Sequence, residues 1–233
     1  MAADPAATHV VVARRQQLNE EVAAYVRELI MSGAVRPGEF LRMERIAEAV
    51  GVSNTPVREG LLTLSSQGYV RQLPRRGFVV APLEQQDIRD LFWAQAFLAG
   101  ELAARATQKI GSEQLARLED IDTAYHQAVA AEEHPRVVEL GHAFHRGINV
   151  AADSIRLAML LGSIARTLPL QFYATIEGGI EASHNEHREI LGGLRKRDDT
   201  KTRTLMEDHI SGVADRLIDM LEGRGLWSVT EEN

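Results

Sequence analysis

Apolar residues recur at helical spacing along most of the chain, and the pattern becomes strand-like only around residues 69–81. A first helix is predicted over residues 18–32, because its apolar side chains fall on one face. Residues 69–73 and 78–81 are predicted as two short strands, separated by the turn sequence Pro74-Arg75-Arg76-Gly77. Residues 1–15 show neither period and are predicted to form a flexible arm.

The segment between the first helix and the strands has the features of two helices joined by a tight turn. A short apolar-periodic stretch ends at Gly51, where glycine allows the backbone to reverse direction. Ser53 is placed to cap the second helix, and Pro56 suits its first turn. Its buried face is predicted to consist of Val57, Leu61, Leu62 and Leu64. The exposed N-terminal end of this helix, the end that enters the major groove in a helix-turn-helix, then carries Ser53, Asn54, Thr55 and Arg58.

Helix-turn-helix followed by a hairpin predicts a winged helix over residues 16–82. The hairpin has a basic tip formed by Arg75 and Arg76, which suits contact with phosphate or the minor groove. Arginines that merely solubilise the tip are the alternative. Pro82 marks the predicted boundary of this domain.

Residues 83–222 contain no strand pattern and are predicted to form an antiparallel six-helix bundle that binds an effector and mediates dimerisation, so the whole protein is expected to be mainly α. Short separators containing glycine, proline or aspartate divide the segment into six helical stretches. Their predicted bounds are residues 84–107, 112–131, 135–151, 154–175, 180–197 and 200–221. Pro169 is expected to kink or interrupt the fourth helix. Residues 223–233 are predicted to be a C-terminal tail.

Composition narrows the class of protein. The 233 residues include no cysteine, which excludes disulfides and thiolate metal sites and fits a reducing cytoplasm. No apolar run approaches the roughly 18–20 residues needed to cross a bilayer, so no membrane partner is expected. The net charge of −7 is unevenly distributed, because residues 1–82 carry ten arginines against eight acids. The acidic excess therefore lies wholly in the second segment, which should face away from DNA phosphates.

Seven of the eight histidines lie beyond residue 125, and three of them fall on different predicted helices of the bundle. His145, His187 and His209 could point into the bundle interior and hold Zn²⁺, Ni²⁺ or Mn²⁺. His142 and His184 each lie three residues before one of them, on the same helix face, and are possible ligands or supporting residues. On spacing alone, three unrelated surface or core histidines are the alternative.

These motifs resemble a known family. Residues 33–41, the turn and second helix over residues 51–59, and the strand Gly77-Phe78-Val79-Val80 look like the GntR family of bacterial transcription regulators. The helical half is similar to the FCD effector domain of the FadR-like subfamily, and His145, His187 and His209 stand where that domain keeps its metal-binding histidines. The resemblance implies a homodimeric repressor or activator whose helical domain binds a small organic acid, often beside a divalent metal.

Two departures from the family concern the effector domain. The family usually has an aspartate one turn before the first histidine, where this chain has Gly141. The metal site would then consist of three histidines completed by water or effector, or would recruit His142. An arginine that is common early in the first bundle helix is replaced by Gln95, which cannot offer a charge-assisted fork to a carboxylate. Gln95 and Arg146 are the candidate effector-binding residues.

Two further departures concern DNA recognition. Asn54 stands where the family often has arginine, and asparagine prefers adenine where arginine prefers guanine. Glu44 replaces another common arginine, with Arg45 next to it as a possible substitute. The expected partner is a pseudo-palindromic double-stranded operator whose half-sites are about one helical turn apart. The candidate DNA-binding residues are Arg45, Ser53, Asn54, Thr55, Arg58, Arg75 and Arg76.

Two other functions compete with an effector-controlled regulator. In a metal sensor the ion itself would be the signal, and the missing aspartate favours such an exchangeable ion. In a zinc hydrolase Glu186 would activate water, but the sequence has no His-Glu-x-x-His spacing and no nucleophile, phosphate-loop or dinucleotide motif. A set of apolar bundle residues could line a ligand cavity or simply pack in the core: Phe92, Trp93, Phe97, Phe172 and Tyr173.

Overall fold

A computed structural model describes residues 5–168, 181–223 and 226–227, and the chain forms two compact units. The first consists of Met1–Glu84 together with Leu221–Asn233, and the second of Gln85–Met220. The first of these segments ends at Glu84, whereas the domain boundary predicted from the sequence is Pro82. Within the first unit, the Trp227 Nε1–H donates a hydrogen bond to the carbonyl oxygen of Leu83 at 2.6 Å.

The first unit is a winged helix-turn-helix, as predicted. Its elements are α1 (Pro5–Met31), β1 (Phe40–Leu41), α2 (Met43–Val50), α3 (Asn54–Ser66), β2 (Val70–Leu73) and β3 (Gly77–Val80). The sheet is antiparallel with β3 in the centre, so the predicted hairpin gains a third strand that the sequence analysis missed. β1 pairs Phe40 with Val79 and Leu41 with Phe78. Two residues are too short for an alternating pattern to reveal a strand.

Helix α1 begins earlier than the sequence indicated. Residues 1–15 were expected to be irregular, but the helix starts at Pro5 and runs without a break to Met31. Proline is tolerated in a first turn, and neither glycine nor a further proline interrupts the segment. Extending an existing helix requires no new nucleus, so it can continue through residues that lack apolar periodicity.

The core of the first unit lies between α1 and α3. Val22 and Val26 of α1 and Val57, Leu61 and Leu64 of α3 are fully buried. Leu62, predicted to be buried with them, is 41% exposed, because the buried positions of α3 follow one stripe and Leu62 falls beside it.

The second unit is helical throughout the part of it that the structure describes, as predicted. Its six described helices are α4 (Gln85–Lys109), α5 (Ser112–Ala130), α6 (His134–Ala151), α7 (Ile155–Ala165), α8 (Glu181–Lys196) and α9 (Asp199–Gly223), the last of which continues into the first unit. Helix α7 ends at Ala165, earlier than predicted, whereas Pro169 lies outside the described residues. Within the described ranges, no helix combines the length and apolar character that a membrane span requires.

The aromatic residues of the bundle do not behave as one group. Phe92 is buried, but Trp93 is 70% exposed and Phe97 is 56% exposed, so both the core and the cavity interpretations are wrong for these two. They stand one helical turn apart on α4 and their rings stack, with centroids 6.1 Å apart. Phe172 and Tyr173 lie outside the described residues.

Helices α8 and α9 approach closely at Gly193. A Cβ at this position would lie 3.3 Å from Thr202 Cβ and 3.5 Å from Thr202 Cα. Thr202 cannot easily move, because its side chain is buried and donates a hydrogen bond to the carbonyl of Asp198 at 2.6 Å. The neighbouring Gly192 faces open space, with no atom within 4 Å of a Cβ.

We therefore expect opposite effects from alanine at the two glycines. Gly193→Ala should lower the free energy of unfolding by about 1–3 kcal/mol through overpacking. Gly192→Ala should raise it by about 0.5–1 kcal/mol, because alanine is the better helix former. Urea unfolding followed by circular dichroism measures both. Equal effects at the two sites would contradict the close approach of α8 and α9.

Candidate nucleic-acid interface and metal centre

The turn between α2 and α3 presents the N-terminal end of α3 to solvent. Gly51 closes α2 in the left-handed conformation, with φ of +75°, which glycine adopts without strain. Ser53 has extended backbone angles at the N-cap position, but its side chain makes no capping hydrogen bond, contrary to prediction. Four side chains are exposed at this end, those of Ser53, Asn54, Thr55 and Arg58.

A surface concavity of about 470 Å³ lies against this end of α3. Its wall combines apolar and polar side chains from α2 and α3: Met43, Asn54, Thr55, Arg58, Glu59 and Leu62. Glu59 accepts a hydrogen bond from Asn19 Nδ2 at 2.7 Å, which ties this end of α3 to α1. The exposed Leu62 therefore belongs to the concave surface beside Arg58, where an apolar group can contact the methyl of a thymine.

The wing tip is built by two residues with positive φ. Arg75 has φ of +58° and Gly77 has φ of +101°, and the Arg76 N–H donates to the Leu73 carbonyl at 3.1 Å. Arg75 and Arg76 are exposed, and the Arg76 guanidinium lies over the ring of Phe40, 5.2 Å from its centroid. The tip is thus a hydrogen-bonded turn, in which the contact with Phe40 orients the guanidinium of Arg76.

Three more arginines of the first unit are exposed near these elements. Arg45, a candidate DNA-binding residue from the sequence, lies on α2. Arg42, at the N-cap of α2, and Arg71, on β2, were not singled out from the sequence.

In the second unit, three helices bring their histidines together. His145 of α6, His187 of α8 and His209 of α9 each offer a ring nitrogen, and these nitrogens lie within 4.8 Å of one another. His187 is 1% exposed and His209 is 2% exposed. Within the described part of the chain, His142 does not join this group. The side chain of His184 lies outside the described residues.

The spacing of the cluster suits a metal ion. The Nε2 atoms of His145 and His209 are 3.2 Å apart. Two nitrogens each about 2.0–2.1 Å from a tetrahedral ion stand roughly 3.3 Å apart, so little movement is needed to bind one. Without an ion, the same distance allows one imidazole N–H to donate to the other ring.

One histidine of the cluster, His145, is held in the neutral form. Burial, followed by the neighbouring His209 and His142, holds the pKa of His145 well below its usual value. A neutral ring is the form that binds metal, so protons compete weakly for this side chain. The His187 ring is stacked on Phe144, with centroids 4.1 Å apart, and is held in place from that side.

Two carboxylates stand directly behind these rings. Glu186 Oε2 accepts a hydrogen bond from the His209 Nδ1–H at 2.7 Å, and Asp122 Oδ1 lies 3.7 Å from His187 Nδ1. Sequence reasoning considered Glu186 only as a hydrolytic base and missed Asp122. A signal existed, because Asp122 occupies a core-facing position of α5 between the buried residues Leu118 and Tyr125.

The two candidate effector-binding residues differ in placement. Gln95 is buried within α4, whereas Arg146 is exposed on α6. Arg146 directly follows His145, so their side chains leave the helix about 100° apart.

Two family models match the chain, one for each part of it. The model for bacterial regulatory proteins of the gntR family matches residues 18–80, and the FCD domain model matches residues 90–212. Together they contain the winged helix and all three histidines of the cluster.

The relatives are regulators. A Glc operon transcriptional activator of Escherichia coli is 27% identical over 241 residues, covering 91% of this chain and 94% of the relative. An Nta operon transcriptional regulator of Aminobacter aminovorans is 24% identical, covering 81% and 89%, respectively. The fold is similar to that of E. coli McbR/YncC, with a TM-score of 0.63, 21% identity and coverage of 89% and 98%.

Both matched domains, and the relatives named above, are described as those of transcription regulators, which supports the regulator and not the zinc-hydrolase alternative. The domain order also matches the sequence-based expectation. The chain belongs to the GntR family of bacterial regulatory proteins, as a DNA-binding transcription regulator with a C-terminal FCD domain.

Proposed function

We propose that the protein controls transcription in the cytoplasm as a homodimer on a pseudo-palindromic operator, in response to a small organic acid bound beside a divalent metal. The observation that carries the proposal is the convergence of His145, His187 and His209 inside the domain that accompanies the winged helix. Three histidines from three helices, two of them buried and His145 half-buried, form a donor set whose geometry an ion can use.

On DNA, the exposed end of α3 would read bases in the major groove. Arg58 and Asn54 are the proposed base-contacting residues, and the concave surface beside them supplies apolar contact through Leu62. The remaining candidates would position the protein on the phosphate backbone: Arg45, Ser53, Thr55, Arg75 and Arg76.

In the effector domain, His145, His187 and His209 would hold Zn²⁺, Ni²⁺ or Mn²⁺. Such an ion supplies Lewis acidity toward an oxygen of the effector, because three protein ligands leave coordination positions open. Gln95 is the proposed hydrogen-bonding residue toward the effector, and Arg146 the proposed cationic one. Preferential binding to one geometry of the dimer would change the population that fits both half-sites.

The test is operator binding by fluorescence anisotropy, with metal-free and metal-loaded protein and a panel of small organic acids. The proposal expects an acid to change affinity for the operator only when the metal is present. A change caused by metal alone, insensitive to every acid, would instead identify the metal-sensor function. Equal binding under all conditions would contradict both.

The dimer surface is proposed to include the exposed aromatic pair of α4, Trp93 and Phe97, with a second copy of the chain as its partner. Two half-sites need two recognition helices, and stacked aromatics left in water cost free energy that burial would recover. Helix α7, which packs on α4, also carries exposed apolar residues that are proposed as further parts of the dimer surface: Ile155, Met159 and Leu160.

Trp93→Glu is expected to raise the dimer dissociation constant about 30-fold or more, the ~2 kcal/mol that a buried interface aromatic typically contributes. Sedimentation equilibrium measures the constant, and Trp93→Phe, which keeps an aromatic ring, should change it far less. An unchanged dimer in Trp93→Glu would place the interface elsewhere.

A further inference from the structure

The two carboxylates behind the histidine cluster are Asp122 of α5 and Glu186 of α8. Neither belongs to the set of ligand atoms that lie within 4.8 Å of one another, among the described residues. Each instead faces the Nδ1 atom of one cluster histidine, Glu186 that of His209 and Asp122 that of His187. Both carboxylates therefore lie next to histidines that would bind the ion, and not among the atoms that would bind it directly.

A carboxylate at Nδ1 determines which nitrogen of a histidine is left to bind metal. Glu186 can only accept, so His209 must carry its proton on Nδ1, and the lone pair of the neutral ring is then on Nε2. That Nε2 is the atom that lies 3.2 Å from Nε2 of His145. Asp122 Oδ1 lies 3.7 Å from Nδ1 of His187, which is longer than a hydrogen bond, but its negative charge favours a proton on that nitrogen and a lone pair on Nε2.

Charge gives a second argument. Three neutral imidazoles around a divalent cation leave its charge of +2 uncompensated in the interior, which is costly. Gly141, one helical turn before His145 on α6, has no side chain to offer. Asp122 is buried, with Oδ2 also 3.2 Å from His126 Nε2, and Glu186 is only partly exposed. Two carboxylates beside the rings can balance the charge without touching the ion.

We infer that Asp122 and Glu186 are positioning residues of the metal centre, which orient His187 and His209 and balance the charge of a divalent ion from outside its ligand shell. The inference rests on the proposed function, because it requires that the histidines bind metal. According to this inference, helix α5 contributes to metal affinity through Asp122, although it supplies no ligand.

The test measures metal affinity of the full chain, with Zn²⁺ in competition with a chelator and Co²⁺ as a spectroscopic probe. Asp122→Asn and Glu186→Gln keep the size of each side chain and remove its charge. Each should weaken Zn²⁺ binding about 10–100-fold, the usual effect of removing a partner of a metal-bound histidine. The Co²⁺ absorption spectrum should keep the band positions of the wild type, because no ligand is lost.

Matched controls are the exposed carboxylates on the same helices, Asp120→Asn on α5 and Glu189→Gln on α8, which should leave affinity unchanged. Thermal unfolding of the metal-free variants distinguishes a positioning role from a purely structural one. A purely structural residue would lower the unfolding temperature when substituted, but would not selectively weaken Zn²⁺ binding. Glu186 is partly exposed, so its variant should fold even where Asp122→Asn does not.

Unchanged affinity in both variants, with binding abolished by His209→Ala, would overturn the inference and leave the proposed function intact. A shift of the Co²⁺ bands would also overturn it, because the carboxylate would then be a ligand. Wild-type protein that binds neither ion would contradict the proposed function itself.

Discussion

His187→Ala is expected to weaken binding of Zn²⁺ by more than about 100-fold, beyond the loss typical of an outer residue. The side chain is 1% exposed, stacked on Phe144 and one of three mutually close histidines, so the substitution removes one of the three proposed ligands from the interior of the bundle. Competition with a chelator measures the affinity. The response of operator binding to an organic acid should disappear together with the metal.

His134→Ala is the control, because His134 is exposed at the start of α6 and lies outside the cluster. It should keep both metal affinity and effector response. His187→Gln, which retains polarity and approximate size, guards against loss of folding in the alanine variant. Wild-type affinity in both His187 variants would show that the three histidines do not form the metal site.

Arg58→Ala is expected to reduce operator affinity by roughly 1–3 kcal/mol and to relax specificity at one base pair. Arg58 is exposed on the first turns of α3, beside the concave surface that contains Asn54 and Leu62. A bidentate arginine distinguishes guanine from other bases, so its removal should affect one position of the site and not its neighbours. Binding to a set of single-base operator variants, at fixed salt concentration, measures the effect.

Arg76→Ala provides the contrast, because a wing arginine that contacts phosphate should weaken all sequences about equally and reduce the salt dependence of binding by about one unit. Arg89→Ala, an exposed arginine of α4, should change neither affinity nor specificity. An Arg58→Ala footprint and base preference identical to those of the wild type would contradict the assignment of Arg58 to base reading.

Periodicity was informative wherever an element buries one face against a partner. It located α3 within a few residues because Val57, Leu61 and Leu64 recur at helical spacing on its buried face, and the strands of the wing because a turn sequence separates two short apolar segments. It failed for the N-terminal half of α1, which continues as a helix without a detectable apolar pattern. It also missed β1, whose two residues are stabilised by pairing with β3 and not by their own propensity.

The sequence also could not predict which side chains of α4 are exposed. An apolar run such as Phe92-Trp93 indicates that one face is buried but not which residue faces outward. In the structure, Phe92 packs inside while Trp93 and Phe97 stand in solvent. Only the arrangement of the helices that pack against α4 decides between these possibilities.

The sequence by itself determined the two-part organisation, the exposed end of α3 and the three histidines, because each follows from local spacing or from a motif. Only the tertiary structure decided that the histidines meet, that His142 stays outside the group, and that Asp122 stands behind His187. The reason is physical. Spacing along one helix fixes which residues share a face, whereas the distance between side chains on different helices depends on how those helices pack.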